Sequence, residues 1–356
     1  MNTAVYERRR LALKEELKAR NLPALLVSHA ANRYYLSGFE LHDPQCNESA
    51  GWLVITADGD DFLFTDPRYL DAARQVWNED AICIYAARKH SEVCAFLKAK
   101  GITTMGFEPK ALHLFDFDSL NSMLTLIVTE NVVESLRLFK DDEEIRRMEE
   151  AMRLNHELFK YIEGQLIPGK TEKEIAWEVE KFFREQGAEE LAFSTIVGVG
   201  PNAAKPHCIP GETLIRENDM VLIDTGCRYL DYNSDQTRTF WVGDTPSDRF
   251  KKTMDLVREA QQAAIDIIRP GLPFVEAYKE SYAVFQKAGV ESLFTHGLGH
   301  GVGLETHEPP SLSRGAQGVL DTGMVVTVEP GLYEASWGGI RWEYEILVTE
   351  DGCRVL

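Results

Sequence analysis

Three of the nine histidines, His296, His300 and His307, lie in one short stretch, interleaved with Gly297, Gly299, Gly301 and Gly303. Imidazole ligates divalent metals and carries protons near neutral pH. Glycine lets main chain approach such a centre closely. The same chain places carboxylates where they are not expected. Asp224 closes the apolar run Met220 to Ile223, and Glu329 closes a second one, Met324 to Val328. A carboxylate at such a position is unfavourable unless a cation or hydrogen-bond donors meet it. Asp235 shares one face of an alternating segment with Thr237 and Thr239. Glu343 shares the polar face of Gly339 to Ile346 with Arg341 and Glu345.

Four carboxylates and one imidazole make a hard, oxygen-rich ligand set. Such a set suits Mn2+ first, with Co2+, Fe2+ or Zn2+ as alternatives, better than Cu or a structural Zn2+ built on thiolates. Four acids around a single divalent ion leave excess negative charge, so two ions are expected. A pair of ions roughly 3.5 Å apart shares a water, lowers its pKa toward neutrality and polarises a carbonyl. The remaining histidines would bind substrate, stabilise an oxyanion or shuttle protons.

The elements that must position these groups are legible around them. Met220 to Gly226 and Ser234 to Phe240 read as strands, joined by a segment short enough for a hairpin, so Asp224 and Asp235 face one point. Met324 to Gly331 and Gly339 to Ile346 repeat the arrangement. Each pair follows two helices. Acidic residues Asp141 to Glu144 open the first, suiting the positive end of its dipole. Thr171 and Glu174 have the spacing of a capping box for the second. Pro168-Gly169, Phe183, Gly187 and Leu191 return as Pro270-Gly271, Phe285, Gly289 and Leu293, all offset by 102 residues. Two related α/β halves with a site between them are expected.

The preceding part of the chain reads as a smaller α/β unit without a cluster of chemistry. It has a charged helix over Val5 to Arg20 and strands at Ala24 to Ser28, Gly51 to Thr56, Asp61 to Thr65, Ala81 to Tyr85 and Thr104 to Phe107. Helices are expected at Leu70 to Trp77 and His90 to Lys100, and Thr65 to Tyr69 reads as a turn carrying a salt-bridged Arg68. The chain has 356 residues and a net charge of −19, which argues against nucleic acid or an anionic membrane as partner. No stretch has the roughly 20 apolar residues of a membrane span, and no apolar signal core opens the chain. Six cysteines without CxxC spacing fit reduced thiols and a cytoplasmic setting.

Asp224, Asp235 within Ser-Asp-Gln-Thr-Arg-Thr, His300 within Gly-His-Gly-Val-Gly, Glu329 within Glu-Pro-Gly-Leu-Tyr and Glu343 within Arg-Trp-Glu resemble, in order, the ligand motifs of the pita-bread metallopeptidases. That family includes methionine aminopeptidase, aminopeptidase P, prolidase and the metal-free creatinase. The resemblance implies a pseudo-symmetric pita-bread catalytic domain over 131–356, behind a creatinase/prolidase-like N-terminal domain over 1–130. It implies that Asp224 holds one metal, that Asp235 and Glu343 bridge both, and that His300 and Glu329 complete the second. His207, His296 and His307 match the family's active-site histidines, with Glu329 also a proton carrier. Tyr333 and Arg341 sit where proline-specific members place substrate-facing or supporting groups. Tyr344 departs from the family, which often has Asp after Arg-x-Glu; alternation turns its side chain away from the metals.

The N-terminal domain points to the prolidase, aminopeptidase P and creatinase branch. There it drives dimerisation, so a homodimer is expected. The activity this implies is hydrolysis of the Xaa-Pro bond at the N-terminus of short peptides. Whether dipeptides or longer peptides are preferred stays open at this point. The alternatives are a relative acting on a creatine-like amidine, an acylated amino acid or an osmolyte, and a non-catalytic binding module.

Overall fold

The computed structural model describes residues 3–45 and 48–356. The chain divides into two compact units, Met1–Arg137 and Leu138–Leu356. The sequence boundary after residue 130 falls one helix earlier, because Val132–Arg137 belongs to the first unit.

The first unit is a six-stranded mixed sheet in the order Ile82–Ile84, Phe62–Thr65, Gly51–Thr56, Ala24–Val27, Thr104–Phe107, Thr125–Val128. Gly51–Thr56 and Phe62–Thr65 form the expected antiparallel hairpin. Apolar side chains on one face of the sheet meet the helices Lys89–Ala99 and Leu114–Asn121 in a core that includes Trp52, Phe64, Leu97 and Leu120. Asp66 caps a single 3-10 turn, Pro67–Tyr69, and pairs with Arg68 at 2.8 Å, the structural turn read from the sequence. Cys83, Cys94, Cys208, Cys227 and Cys353 are free thiols; Cys46 lies outside the described residues. Among the described residues no helix is long and apolar enough to cross a membrane.

The second unit repeats a motif of two helices and antiparallel strands. Asp141 caps Asp142–Glu163 and Thr171 caps Glu172–Glu185, each through a complete capping box. Asp248–Ile267 and Phe274–Lys287 are their counterparts. The glycines that follow the second helix of each half, Gly187 and Gly289, take φ of 89° and 71°, so each chain turn uses the left-handed region.

Two cores result, and one strand serves both. In Met220–Thr225, Val221 and Ile223 pack into the core beneath the first helix pair, while Met220 and Leu222 pack into the core beneath the second. A strand covered on both faces is apolar throughout, which explains its unbroken run. It lies between Ile196–Val199 and Gln236–Trp241. The other half holds a five-stranded sheet in which Gly299–Gly301 pairs with Glu308–Leu312 and with Val325–Val328.

The segment expected as one alternating strand, Gly339 to Ile346, is two. Gly338–Arg341 pairs with Gly331–Glu334, and Tyr344–Val348 pairs with Val325–Val328. The break at Trp342 and Glu343 is held by the Arg238 guanidinium, which donates to the carbonyls of Thr237 at 2.8 Å and Glu343 at 2.6 Å.

Candidate metal centre

Strand phase delivers the acids. Asp224 follows Met220 and Leu222 in alternation, leaves the strand on the side of the second core, and stands at that core's edge. Its register partner is Thr237, and Asp235 stands just ahead of that strand. In the other half Val326 and Val328 enter the core, so Thr327 and Glu329 share the opposite face. The Thr327 hydroxyl donates to Glu329 Oε1 at 3.3 Å and accepts the His300 N–H at 3.1 Å.

His300 reaches the centre from a strand with no room for neighbours. A Cβ on Gly299 would lie 1.9 Å from the Thr327 carbonyl oxygen, and one on Gly301 would lie 2.2 Å from that of Pro309. The glycines flanking His300 are therefore required by close main-chain packing.

Three overlapping groups of ligand atoms result. Asp224, Asp235 and Glu343 form one, His300, Glu329 and Glu343 a second, and Asp235, His300 and His307 a third, with the atoms of each within 4.8 Å of one another. Glu343 is common to the first two. His300 Nε2 lies 3.4 Å from Glu329 Oε1 and 3.6 Å from Asp235 Oδ2.

Arg341 organises the outer layer. It is buried, and donates from Nη2 to Asp224 Oδ2 at 2.7 Å, from Nη1 to the Tyr333 hydroxyl at 2.7 Å and from Nε to Thr237 Oγ1 at 2.9 Å. The Thr237 hydroxyl in turn donates to Glu343 Oε2 at 2.8 Å. Glu345, fully buried, accepts the Asp235 N–H at 2.7 Å.

The electrostatics calls for cations. Burial, reinforced by the other acids, pushes the Asp235 and Glu343 carboxyls well above their ordinary range. Burial also raises Asp224 against the pull of Arg341. Glu329 behaves oppositely: burial would raise it, but the hydrogen bond and charge of His300 bring it down to about 2. Asp224 Oδ1 is buried with no protein partner among the described residues. Crowded acids, an orphaned oxygen and an adjoining imidazole are all satisfied by divalent ions, so the residues present fit such ions.

The cleft over these groups has a volume of about 1110 Å3. His207, Asp224, Asp235, His296, His300, His307, Glu329, Arg341 and Glu343 all line it. Tyr333 stays out of the wall, buried behind Arg341 and His296.

The three histidines other than His300 differ. His296 Nδ1 lies 2.7 Å from the Gly297 carbonyl, and Nε2 lies 2.8 Å from the Tyr333 hydroxyl. A carbonyl only accepts, so Nδ1 carries the proton, and Tyr333 donates to Nε2 while accepting from Arg341. Burial lowers the His296 pKa, in keeping with this neutral ring. His307 and His207 are exposed in the cleft; the His307 ring stands 4.1 Å from that of His300, edge-on.

Sequence reasoning passed over Thr237, Glu345 and Arg238 as members of the site. Thr237 and Glu345 share the polar phase of the acids they support, which is a usable signal. Arg238 faces away from the cleft, 4.5 Å from the Trp342 ring and 4.8 Å from that of Tyr344. Tyr344 thus packs on Arg238, in the phase opposite to Glu343 and Glu345.

The chain is similar to proteins of known family along nearly its whole length. It is 32% identical to the Xaa-Pro dipeptidase of Pyrococcus furiosus, over 94% of this chain and 93% of that one. The structure of an Xaa-Pro dipeptidase from Bacillus anthracis superposes with a TM-score of 0.92 at 34% identity, covering 98% of this chain and 97% of that one. That of an X-Pro aminopeptidase from Thermotoga maritima superposes with a TM-score of 0.83 at 30% identity, covering 94% and 95%. Residues 9–139 match the creatinase/prolidase N-terminal domain. Residues 146–350, which carry every acid and histidine of the centre, match the model of metallopeptidase family M24, and the chain belongs to that family.

Proposed function

We propose that this chain is a dinuclear metallo-exopeptidase that hydrolyses the bond between an N-terminal residue and a following proline. The observation that carries the reading is the sharing of Glu343 between two ligand groups, one with Asp224 and Asp235 and one with His300 and Glu329. Asp224 and Asp235 would hold one ion, His300 and Glu329 the other, with Asp235 and Glu343 between them; Mn2+ suits this set. When bound, two such ions supply a water activated near neutral pH and polarise the scissile carbonyl.

The chain's own groups supply the rest. Glu329, held ionised beside His300, accepts a proton from the attacking water. His307 and His207, exposed to the cleft, hold a proton for the leaving nitrogen and contact the carbonyl oxygen. His296 has both ring nitrogens engaged, so it positions Tyr333 and Arg341 rather than carrying protons. A prolyl ring brings no N–H to its amide and presents an apolar face, which the walls at Phe193, Pro206 and Ile209 accept. The similarity to Xaa-Pro dipeptidases and to an X-Pro aminopeptidase supports a proline-directed activity.

The test is release of the N-terminal residue from Ala-Pro and Ala-Pro-Ala by the purified protein, after chelation and after Mn2+ or Co2+ is restored. Metal-dependent release that is abolished in Asp235→Ala supports the reading. No turnover of either substrate by protein carrying two ions overturns it. A homodimer, with reduced thiols in the cytoplasm, completes the proposal; sedimentation as a monomer at micromolar concentration would remove that part.

A further inference from the structure

We infer that the preferred substrates are peptides continuing beyond the proline, or capped there, rather than free dipeptides; this rests on the proline-peptidase reading. A dipeptide carries its terminal carboxylate on the residue just past the scissile bond. Holding that charge in a partly enclosed cleft takes a cation or several well-placed donors, because a carboxylate removed from water without partners is strongly disfavoured.

Among the described residues that line it, the cleft offers no free permanent cation. Arg341 is the only arginine among them, and none of them is a lysine. Arg341 is 2% exposed, and four of its five N–H donors are already engaged. They go to Asp224, Tyr333 and Thr237, and to the Pro206 carbonyl at 3.3 Å. Turning it toward a substrate would break its hydrogen bonds to Asp224, Tyr333 and Thr237. No histidine of the lining is a permanent cation, and His296 has both ring nitrogens engaged.

The wall beside the centre is neutral instead. Ser311 is the cross-strand partner of His300, is exposed, and lines the cleft with Ser313. The lining also includes the apolar Phe193, Pro206 and Ile209, of which Ile209 is 88% exposed and open to a ligand's side chain or main chain. The volume of about 1110 Å3 also stands above the roughly 300–1,000 Å3 of small-ligand pockets. A wall of hydroxyls and apolar side chains without a free permanent cation receives the next peptide unit of a longer chain and gives a terminal carboxylate no charged partner.

The experiment compares kcat/KM of the Mn2+-loaded protein for Ala-Pro, Ala-Pro-amide and Ala-Pro-Ala. The amide has the size of the dipeptide without its charge, so it separates charge from length. The expected result is a value for the amide and the tripeptide about tenfold or more above that for Ala-Pro, carried mainly by KM. Ser311→Arg, which puts a guanidinium beside His300, should narrow that gap by raising turnover of Ala-Pro relative to the amide. A dipeptide cleaved as well as the amide, or better, overturns the inference and leaves the proline-peptidase reading in place. Failure of all three substrates with metal bound removes that reading and the inference together.

Discussion

Arg341 donates to Asp224 at 2.7 Å inside a centre built for cations, with both side chains buried. The contact occupies Oδ2 and leaves Oδ1 as the one oxygen of Asp224 without a protein partner. A guanidinium and a metal ion would therefore share one carboxylate. Replacing the arginine with an apolar residue leaves a buried acid unpaired, which destabilises by roughly 3–5 kcal/mol. Arg341→Met is expected to lose about that much in chemical denaturation of chelated protein, and to regain part of it when Mn2+ is added. An unchanged midpoint would show the pair to be dispensable.

Loss of a proposed shared ligand should be read in metal content before activity. Wild-type protein is expected to bind about two ions per chain, and Asp235→Asn fewer. Metal at a hundredfold excess over its dissociation constant stabilises wild type by about 2.7 kcal/mol per site. That gain should shrink in the variant, by elemental analysis and thermal melts together. Full metal content in Asp235→Asn would remove Asp235 from the ligand set.

The acids of the centre also set a pH dependence. Asp235 and Glu343 are raised by burial, and burial pushes Glu345 up to about 8. A raised carboxyl holds more protons folded than unfolded, so stability falls as pH rises from the unfolded acid range through the folded pKa. Chelated protein should become less stable between about pH 5 and pH 8, and the slope should flatten with Mn2+ bound, since ions favour the ionised acids. Glu345→Gln should remove part of the slope. Chelated protein that gains stability over that interval would contradict the assignment.

The histidines should separate kinetically. His307→Ala is expected to lower kcat by ~10²–10⁴ if its imidazole moves a proton, with an altered pH profile. Tyr333→Phe removes the donor to His296 Nε2 and the acceptor for Arg341, so it should lower kcat while keeping the shape of that profile. The two outcomes exchanged would reverse the roles of His296 and His307.

The sequence made much of this centre legible because its acids sit in phase with apolar strands. Asp224 and Glu329 are visible as charges at the ends of runs that must be buried, and Thr171 with Glu174 reads directly as the cap the structure contains. What stayed hidden depends on partners distant in the chain. Nothing near Trp342 signals that Arg238 grips the Glu343 carbonyl and breaks the strand there. Nothing near His296 signals that Tyr333 and Arg341 fix its tautomer. The helix Val132–Arg137 was missed as an element because six residues offer little periodicity.

The strand Met220–Thr225 belongs to two cores at once. Neither half of the catalytic unit can open without exposing one of its faces. The Val221 to Ile223 amides should then exchange with deuterium only when the whole unit unfolds, at the slowest rate in the molecule. Asp224 follows directly on the last of them, so the proposed ligand paired with Arg341 should be carried by backbone that does not breathe locally.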